Sequence, residues 1–118
     1  MKSVSKELVA AAAIPLILSI LKGNDSYGYE IVQRVKELSE GKISWREASI
    51  YPVLKKLEND GMIKSYWKVT ENERPRKYYT LLSDGGKQLE TNQEEWKNVF
   101  SVFRHFWSNS ELLGTSGK

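Results

Sequence analysis

Arg46, Ser49, Tyr51, Pro52, Lys55 and Lys56 fall within one short stretch, Ser44 to Gly61 (SWREASIYPVLKKLENDG), with no acid between Ala48 and Leu57. No nucleophile–base pairing stands out among them. They can neutralise phosphates and donate to base edges. A second group follows in RPRK, where Arg74, Arg76 and Lys77 place three cations in four residues. The same residues also read as a solvated helix face and as charges that keep an edge strand soluble. The elements that carry them decide between these readings.

Ile50, Val53, Leu54 and Leu57 recur at helical spacing and form one apolar stripe. The spacing predicts a helix from Trp45 to about Asp60. Ser44 is its expected N-cap, Glu47 completes a capping box, and Gly61 stops it. Trp45, Arg46, Ser49, Pro52, Lys55, Lys56 and Asn59 then share the outward surface, with Tyr51 at its margin. A helix of that kind fits the major groove of DNA and reads as a recognition helix. Pro52 lies inside it and removes a backbone donor, at about 3 kcal/mol in an ordinary helix interior.

After Gly61 the period changes. Met62 to Val69 reads as a strand, Thr70 to Glu73 as a turn, and Arg74 to Leu82 as the returning strand. Two antiparallel strands after a recognition helix make a wing, and the RPRK cations sit near its tip. Beside such a helix, phosphate or minor-groove contact is the better reading of those cations.

Before the recognition helix, a first helix is expected from about Lys6 to Lys22, with Ile14, Ile17, Leu18 and Leu21 as its core stripe. Leu8, Ala11, Ala12, Pro15 and Ser19 form a second, largely apolar side, which suggests a partner surface. Leu8 to Leu21 imitates a targeting segment, but it is shorter than the roughly 20 apolar residues a membrane span needs. A second helix is expected from about Tyr27 to Glu40, capped by Asp25 or Ser26, with Tyr27, Ile31, Val35 and Leu38 inward. Gly28 there permits close approach to a neighbour. Tyr27 and Tyr29 read equally as half-buried packing or as phenols reaching a phosphate.

The last helix is expected from about Asp84 to Trp107, with Ser83 as cap. Leu89, Trp96 and Phe103 repeat every seven residues, Asn92, Val99 and Phe106 form the second seam position, and Phe100 and Trp107 broaden the stripe. A second subunit is the simplest cover for it. Three regions result: a winged-helix domain over 1–82, a dimerisation helix over 83–109 and a loose tail over 110–118. The fold class is mainly α (α+β): a winged helix-turn-helix with a two-stranded wing and a long C-terminal dimerisation helix.

Composition narrows the function. The 118 residues suffice for one domain with a modest core, and the net charge of +3 is compatible with nucleic acid. There is no Cys and only one His, His105. Disulfides, thiol nucleophiles and cysteine-bound zinc are therefore excluded, and a reducing cytoplasm suits the chain. No nucleophile–base pairing, metal spacing or phosphate loop is present. No enzyme activity, cofactor, metal site or membrane partner is expected. The alternative to a DNA-binding regulator is a winged helix used as a protein-interaction module.

Four pieces in order carry a family resemblance: YGYEI at Tyr27 to Ile31, ASIYPVLKKLENDGMI at Ala48 to Ile63, SYW at Ser65 to Trp67, and RPRKYY at Arg74 to Tyr79. With them the chain resembles the PadR family of winged-helix transcriptional regulators, and its length resembles the small subfamily with a single C-terminal helix. The resemblance implies a homodimeric repressor of a near-palindromic operator in double-stranded DNA. Its DNA face would comprise Tyr27, Arg46, Ser49, Tyr51, Pro52, Lys55, Lys56, Arg74, Arg76 and Lys77. Its dimer interface would comprise Leu8, Ala11, Ala12, Pro15, Leu89, Trp96, Val99, Phe100, Phe103 and Trp107.

The chain is also similar to the multidrug-responsive PadR repressors, in which first and last helices of two subunits enclose a pore. There a tryptophan of the last helix stacks on a flat aromatic ligand. Trp96 in EEWKNVF matches it, which implies a planar aromatic effector held by Leu8, Ala12, Pro15, Ser19, Trp96 and Phe100. Phe100 departs from the drug-binding pattern, since it replaces a polar residue with a ring large enough to fill the pore. Leu82 replaces a threonine cap, so Ser83 is expected to cap instead. Glu71 and Glu73 add negative charge at the wing tip.

Overall fold

The computed structural model describes residues 4–108 and Glu111; all of the expected tail but Glu111 lies outside the described residues. The elements are α1 (Lys6–Gly23), β1 (Ser26–Tyr27), α2 (Gly28–Leu38), α3 (Glu47–Asn59), β2 (Ile63–Lys68), β3 (Arg76–Leu81) and α4 (Ser83–Phe106). Four helices and a small antiparallel sheet make the mainly α winged helix that the sequence predicts. The wing pairs Ile63 with Leu81 through to Lys68 with Arg76.

The core forms where the helices meet the sheet. Ile17, Leu18 and Leu21 of α1, Ile31 and Val32 of α2, and Ile50, Leu54 and Leu57 of α3 are buried together with Ile63 and Tyr79. The α1 stripe is the expected one. In α2, Leu38 is 70% exposed and Val32 takes the inward place. Helix α1 starts on Ser5, whose hydroxyl accepts from the Leu8 amide at 3.3 Å. It runs unbroken through Pro15. Helix α3 likewise runs through Pro52; the Ala48 carbonyl that loses its donor belongs to an exposed residue, where water can serve it.

Helix α3 stops as expected. Gly61 has φ +77°, the Gly61 amide donates to Glu58 at 3.1 Å, and the Met62 amide donates to Leu57 at 2.9 Å. These two bonds are the Schellman pattern, and glycine takes the left-handed position without strain. The start differs from expectation. The helix begins at Glu47 with Arg46 as N-cap, and no side chain caps it. Trp45 turns inward to pack on the core rather than outward. The Glu47 carboxylate accepts from Tyr51 Oη at 3.0 Å instead of closing a capping box on Ser44.

Three further expectations are corrected. Ser26 and Tyr27 form a third strand, pairing with Tyr79 and Tyr78, so β3 is central in the order β1-β3-β2. Asp25 and Ser26 therefore do not cap α2. Asp25 accepts from Tyr66 Oη at 2.6 Å, and Ser26 Oγ donates to Glu30 at 2.6 Å. Ser83 does not cap α4, because it already lies in the helix behind an N-cap at Leu82 without a side-chain bond. Finally, Leu89 is only 2% exposed, sunk in the protomer's own core, so it cannot be a dimer contact. The first turns of α4 help to complete the winged-helix core. Among the described residues no helix is long and apolar enough to cross a membrane.

Candidate nucleic-acid interface

Strand alternation sorts the wing into two faces. Ile63, Ser65, Tyr79 and Ser26 face the core. Trp67 and Lys77, paired across the strands, continue that face beyond the core's edge. The opposite face carries a row of tyrosines, with Tyr78 between its partners Tyr27 and Tyr66. The Tyr27 and Tyr78 rings meet edge-on at 5.2 Å, and the Tyr66 and Tyr78 rings stack at 5.9 Å. Cations lie over this row: the Arg76 guanidinium is 4.5 Å from the Tyr27 ring and the Lys68 ammonium 5.0 Å from the Tyr78 ring. Such contacts fix long basic side chains while leaving their charge unneutralised.

Helix α3 leans its Tyr51 flank toward this wing. Gly28, at the start of α2, lies under the Tyr51 ring so closely that a Cβ there would sit 2.8 Å from Tyr51 Cε1 and Oη. The expected close approach at Gly28 is therefore to α3. Burial and then the Glu47 bond push the Tyr51 phenol above its usual pKa, so it is a neutral donor at physiological pH. Between α2, α3 and the wing lies a cleft of about 570 Å³, into which Tyr27, Tyr51, Arg74, Arg76 and Lys77 all contribute. An adjoining hollow of about 340 Å³ places Lys55 beside Tyr51 and Lys77.

Six of the ten residues expected on the DNA face thus converge on one continuous basic, aromatic surface. The other four stand apart from it. At 100° per residue, Ser49 and Lys56 lie on the opposite flank of α3, and Ser49 lines a cavity with Trp45 and Val53. Lys56 is ion-paired to Asp60 at 2.8 Å, whereas Lys55 has no ion pair among the described residues. Pro52 is on the outermost side, and Arg46 is exposed at the helix entry. The cleft also holds Tyr29, which the sequence reads equally as packing or as a phosphate contact, and two residues absent from the expected face, Trp67 and the acid Glu47. Trp67 was legible as part of SYW, but its direction depends on strand register.

At the other end, α1 and α4 enclose a hollow of about 340 Å³ lined by Ala11, Ile14, Pro15, Asn92, Trp96 and Val99, among others. Of the expected effector residues, Pro15 and Trp96 border it. Leu8, Ala12, Ser19 and Phe100 do not line it within one protomer. Ser19 Oγ donates to the Pro15 carbonyl at 2.7 Å, and the Phe100 ring sits 6.1 Å from Trp96. Asn92 Oδ1 is buried there without a partner. Beyond the hollow, Phe103 stacks on Trp107 at 4.5 Å, and Phe106 is 80% exposed.

Comparison with known proteins identifies a family. The model described as the transcriptional regulator PadR-like family matches residues 17–91. A solved transcriptional regulator from Clostridium thermocellum is 31% identical, with a TM-score of 0.79 over 87% of this chain and 97% of that one. A PadR family transcription regulator from Clostridium difficile is 35% identical, with a TM-score of 0.69 over 80% of this chain and 97% of that one. The negative transcriptional regulator PadR of Bacillus subtilis is 36% identical over 72 residues, 61% of this chain and 39% of that protein.

Proposed function

This chain belongs to the PadR-like family of transcriptional regulators, and from that premise we propose that it binds a near-palindromic operator as a homodimer and represses transcription in the cytoplasm. The observation that carries this reading is the convergence of Arg74, Arg76 and Lys77 with the Tyr51–Lys55 flank of α3. A 13-residue helix is about 20 Å long and fits the major groove across several base pairs. Pro52 faces the base edges from the outermost side of α3, and Lys55, on the flank nearer the wing, meets a phosphate. Arg74, Arg76 and Lys77 meet the flanking backbone or minor groove, and Tyr27 adds a phenol to a phosphate. Glu71 and Glu73 keep the wing tip itself off the DNA.

Two copies are needed to cover the apolar surface. Leu8, Val99, Phe100, Val102, Phe106 and Trp107 are exposed in the protomer. We place the interface on α4 beyond Leu89, joined by Ala11, Ala12 and Pro15 of α1 and by Trp96, Phe103 and Trp107. The Trp96 hollow, closed by the second copy, is the proposed seat of a planar aromatic effector. Its occupation would shift the spacing of the two α3 helices away from the roughly 34–36 Å that half-sites demand. This reading groups the chain with the small, multidrug-responsive branch of the family.

Replacing cations one at a time tests the DNA face. Each phosphate contact contributes about 0.9 to the slope of log affinity against log salt. Lys55→Ala and Lys77→Ala should each weaken duplex binding and lower that slope by about 1, whereas Lys56→Ala, already paired to Asp60, should change it less. The double variant of Lys55 and Lys56 should lose about 1–3 kcal/mol of affinity. Unchanged affinity and slope in that double variant would remove α3 from the interface.

A further inference from the structure

Trp67 is 65% exposed, yet it stands at an ordered strand position paired with Lys77. Large aromatic side chains are rarely left so open without use, because they forfeit most of their burial energy. Its place is specific. Alternation along β2 turns it to the same side as the core residues Ile63 and Ser65, but two residues past the point where α3 covers the sheet. It borders the 570 Å³ cleft together with Tyr27, Tyr51 and Arg74, and with its strand partner Lys77. The only acid in that lining is Glu47, whose carboxylate is held by the Tyr51 hydroxyl. The cleft therefore has a cationic rim for a phosphate and an apolar wall for what lies between phosphates.

We infer that Trp67 is a DNA contact, packing its indole against a deoxyribose of the strand whose phosphates are held by Arg74 and Lys77. The inference rests on the DNA-binding reading above. A sugar edge offers C–H surface that complements an indole, while the flanking cations match its phosphates. The contact is sequence-independent, so any duplex should display it. It adds affinity through dehydrated apolar contact and not through charge, which gives it a signature distinct from that of the wing cations.

The test uses the full-length protein and a short random-sequence duplex. Acrylamide should quench a large part of the tryptophan emission of the free protein, and the duplex should protect that part. Trp67→Phe should lack the protectable component while keeping most of the affinity. Trp67→Ala should bind about five- to 150-fold more weakly with an unchanged salt slope, this range being that of aromatic stacking on nucleic acid. Melting by circular dichroism verifies that both variants fold. Wild-type affinity in Trp67→Ala, or acrylamide access unaltered by the duplex, overturns the inference. A salt slope that falls with the affinity also overturns it, because Trp67 would then only support the cations of the wing. Those results leave the DNA-binding reading standing. Failure of the wild-type protein to bind any duplex at low salt removes both.

Discussion

Gly85 and Gly86 open α4 side by side, yet the structure assigns their replacement by alanine opposite effects. Gly85 is buried, and a Cβ there would collide with the Met62 carbonyl oxygen and lie 2.6 Å from Leu81 Cδ1. The carbonyl cannot swing aside, because it accepts the Leu82 amide at 3.0 Å and ties the base of the wing to the helix start. Gly85→Ala must therefore lift α4 by about 1 Å. Overpacking of this kind costs about 1–3 kcal/mol. Weakening the Leu82–Met62 bond costs about 1 kcal/mol more. Better helix propensity returns about 0.5–1 kcal/mol. The net loss is about 1–3.5 kcal/mol, or roughly a 5–15 °C fall in Tm for a domain of this size. A Cβ on Gly86 meets nothing within 4 Å, so Gly86→Ala should gain about 0.5–1 kcal/mol and raise Tm by about 3 °C. Thermal unfolding followed by circular dichroism, at one protein concentration because the chain is expected to associate, gives both numbers. Equal shifts for the two variants would refute the close approach of α4 to the strand.

Alkaline pH should expose Tyr79, whose phenol is pushed above the usual value by burial first and by the Glu58 charge second. The folded state then holds a proton that the unfolded chain releases near pH 10. Its contribution is whole below pH 10 and declines as pH rises through the folded pKa; Tyr79→Phe should flatten that part of the decline in denaturant titrations taken from pH 9 upward. Leu89→Ala should cost about 2–4 kcal/mol of protomer stability, since it empties a core position. Phe103→Ala with Trp107→Ala should instead raise the dimer dissociation constant in sedimentation experiments with little change in far-ultraviolet signal; an unchanged dimer would move the interface elsewhere. A planar aromatic compound should quench tryptophan emission in the wild type and much less in Trp96→Ala, and equal quenching in both would place the effector outside the α1–α4 hollow.

Much of this fold is written in periodicity. The α3 stripe of Ile50, Leu54 and Leu57, the stop at Gly61 and the change to strand period after it are all local, so each could be read without tertiary knowledge. The misreadings share a different cause. A two-residue strand such as Ser26–Tyr27 has no period, and it exists only because β3 offers an edge. Ser44 and Glu47 have the residue types of a capping box, but burial of Trp45 and the Tyr51 hydroxyl claim that turn first. Leu89 shares a heptad with Trp96 and Phe103, and only the packing of α4 on α1 separates a core residue from an outward one. The basic cleft was half legible. Its cations stood out by type and spacing, while Trp67 and Glu47 join it through strand register and helix phase across distant segments.

Helix α3 and the wing are proposed to read a specific DNA site together. The most direct measurement is fluorescence anisotropy with labelled DNA from just upstream of the gene encoding this chain, against scrambled competitor, at two salt concentrations. A dimer reading that site binds it in the presence of competitor, with two copies per site and an affinity that falls steeply with salt. Binding that competitor removes equally well would contradict operator recognition, and no binding at low salt would contradict the DNA interface itself.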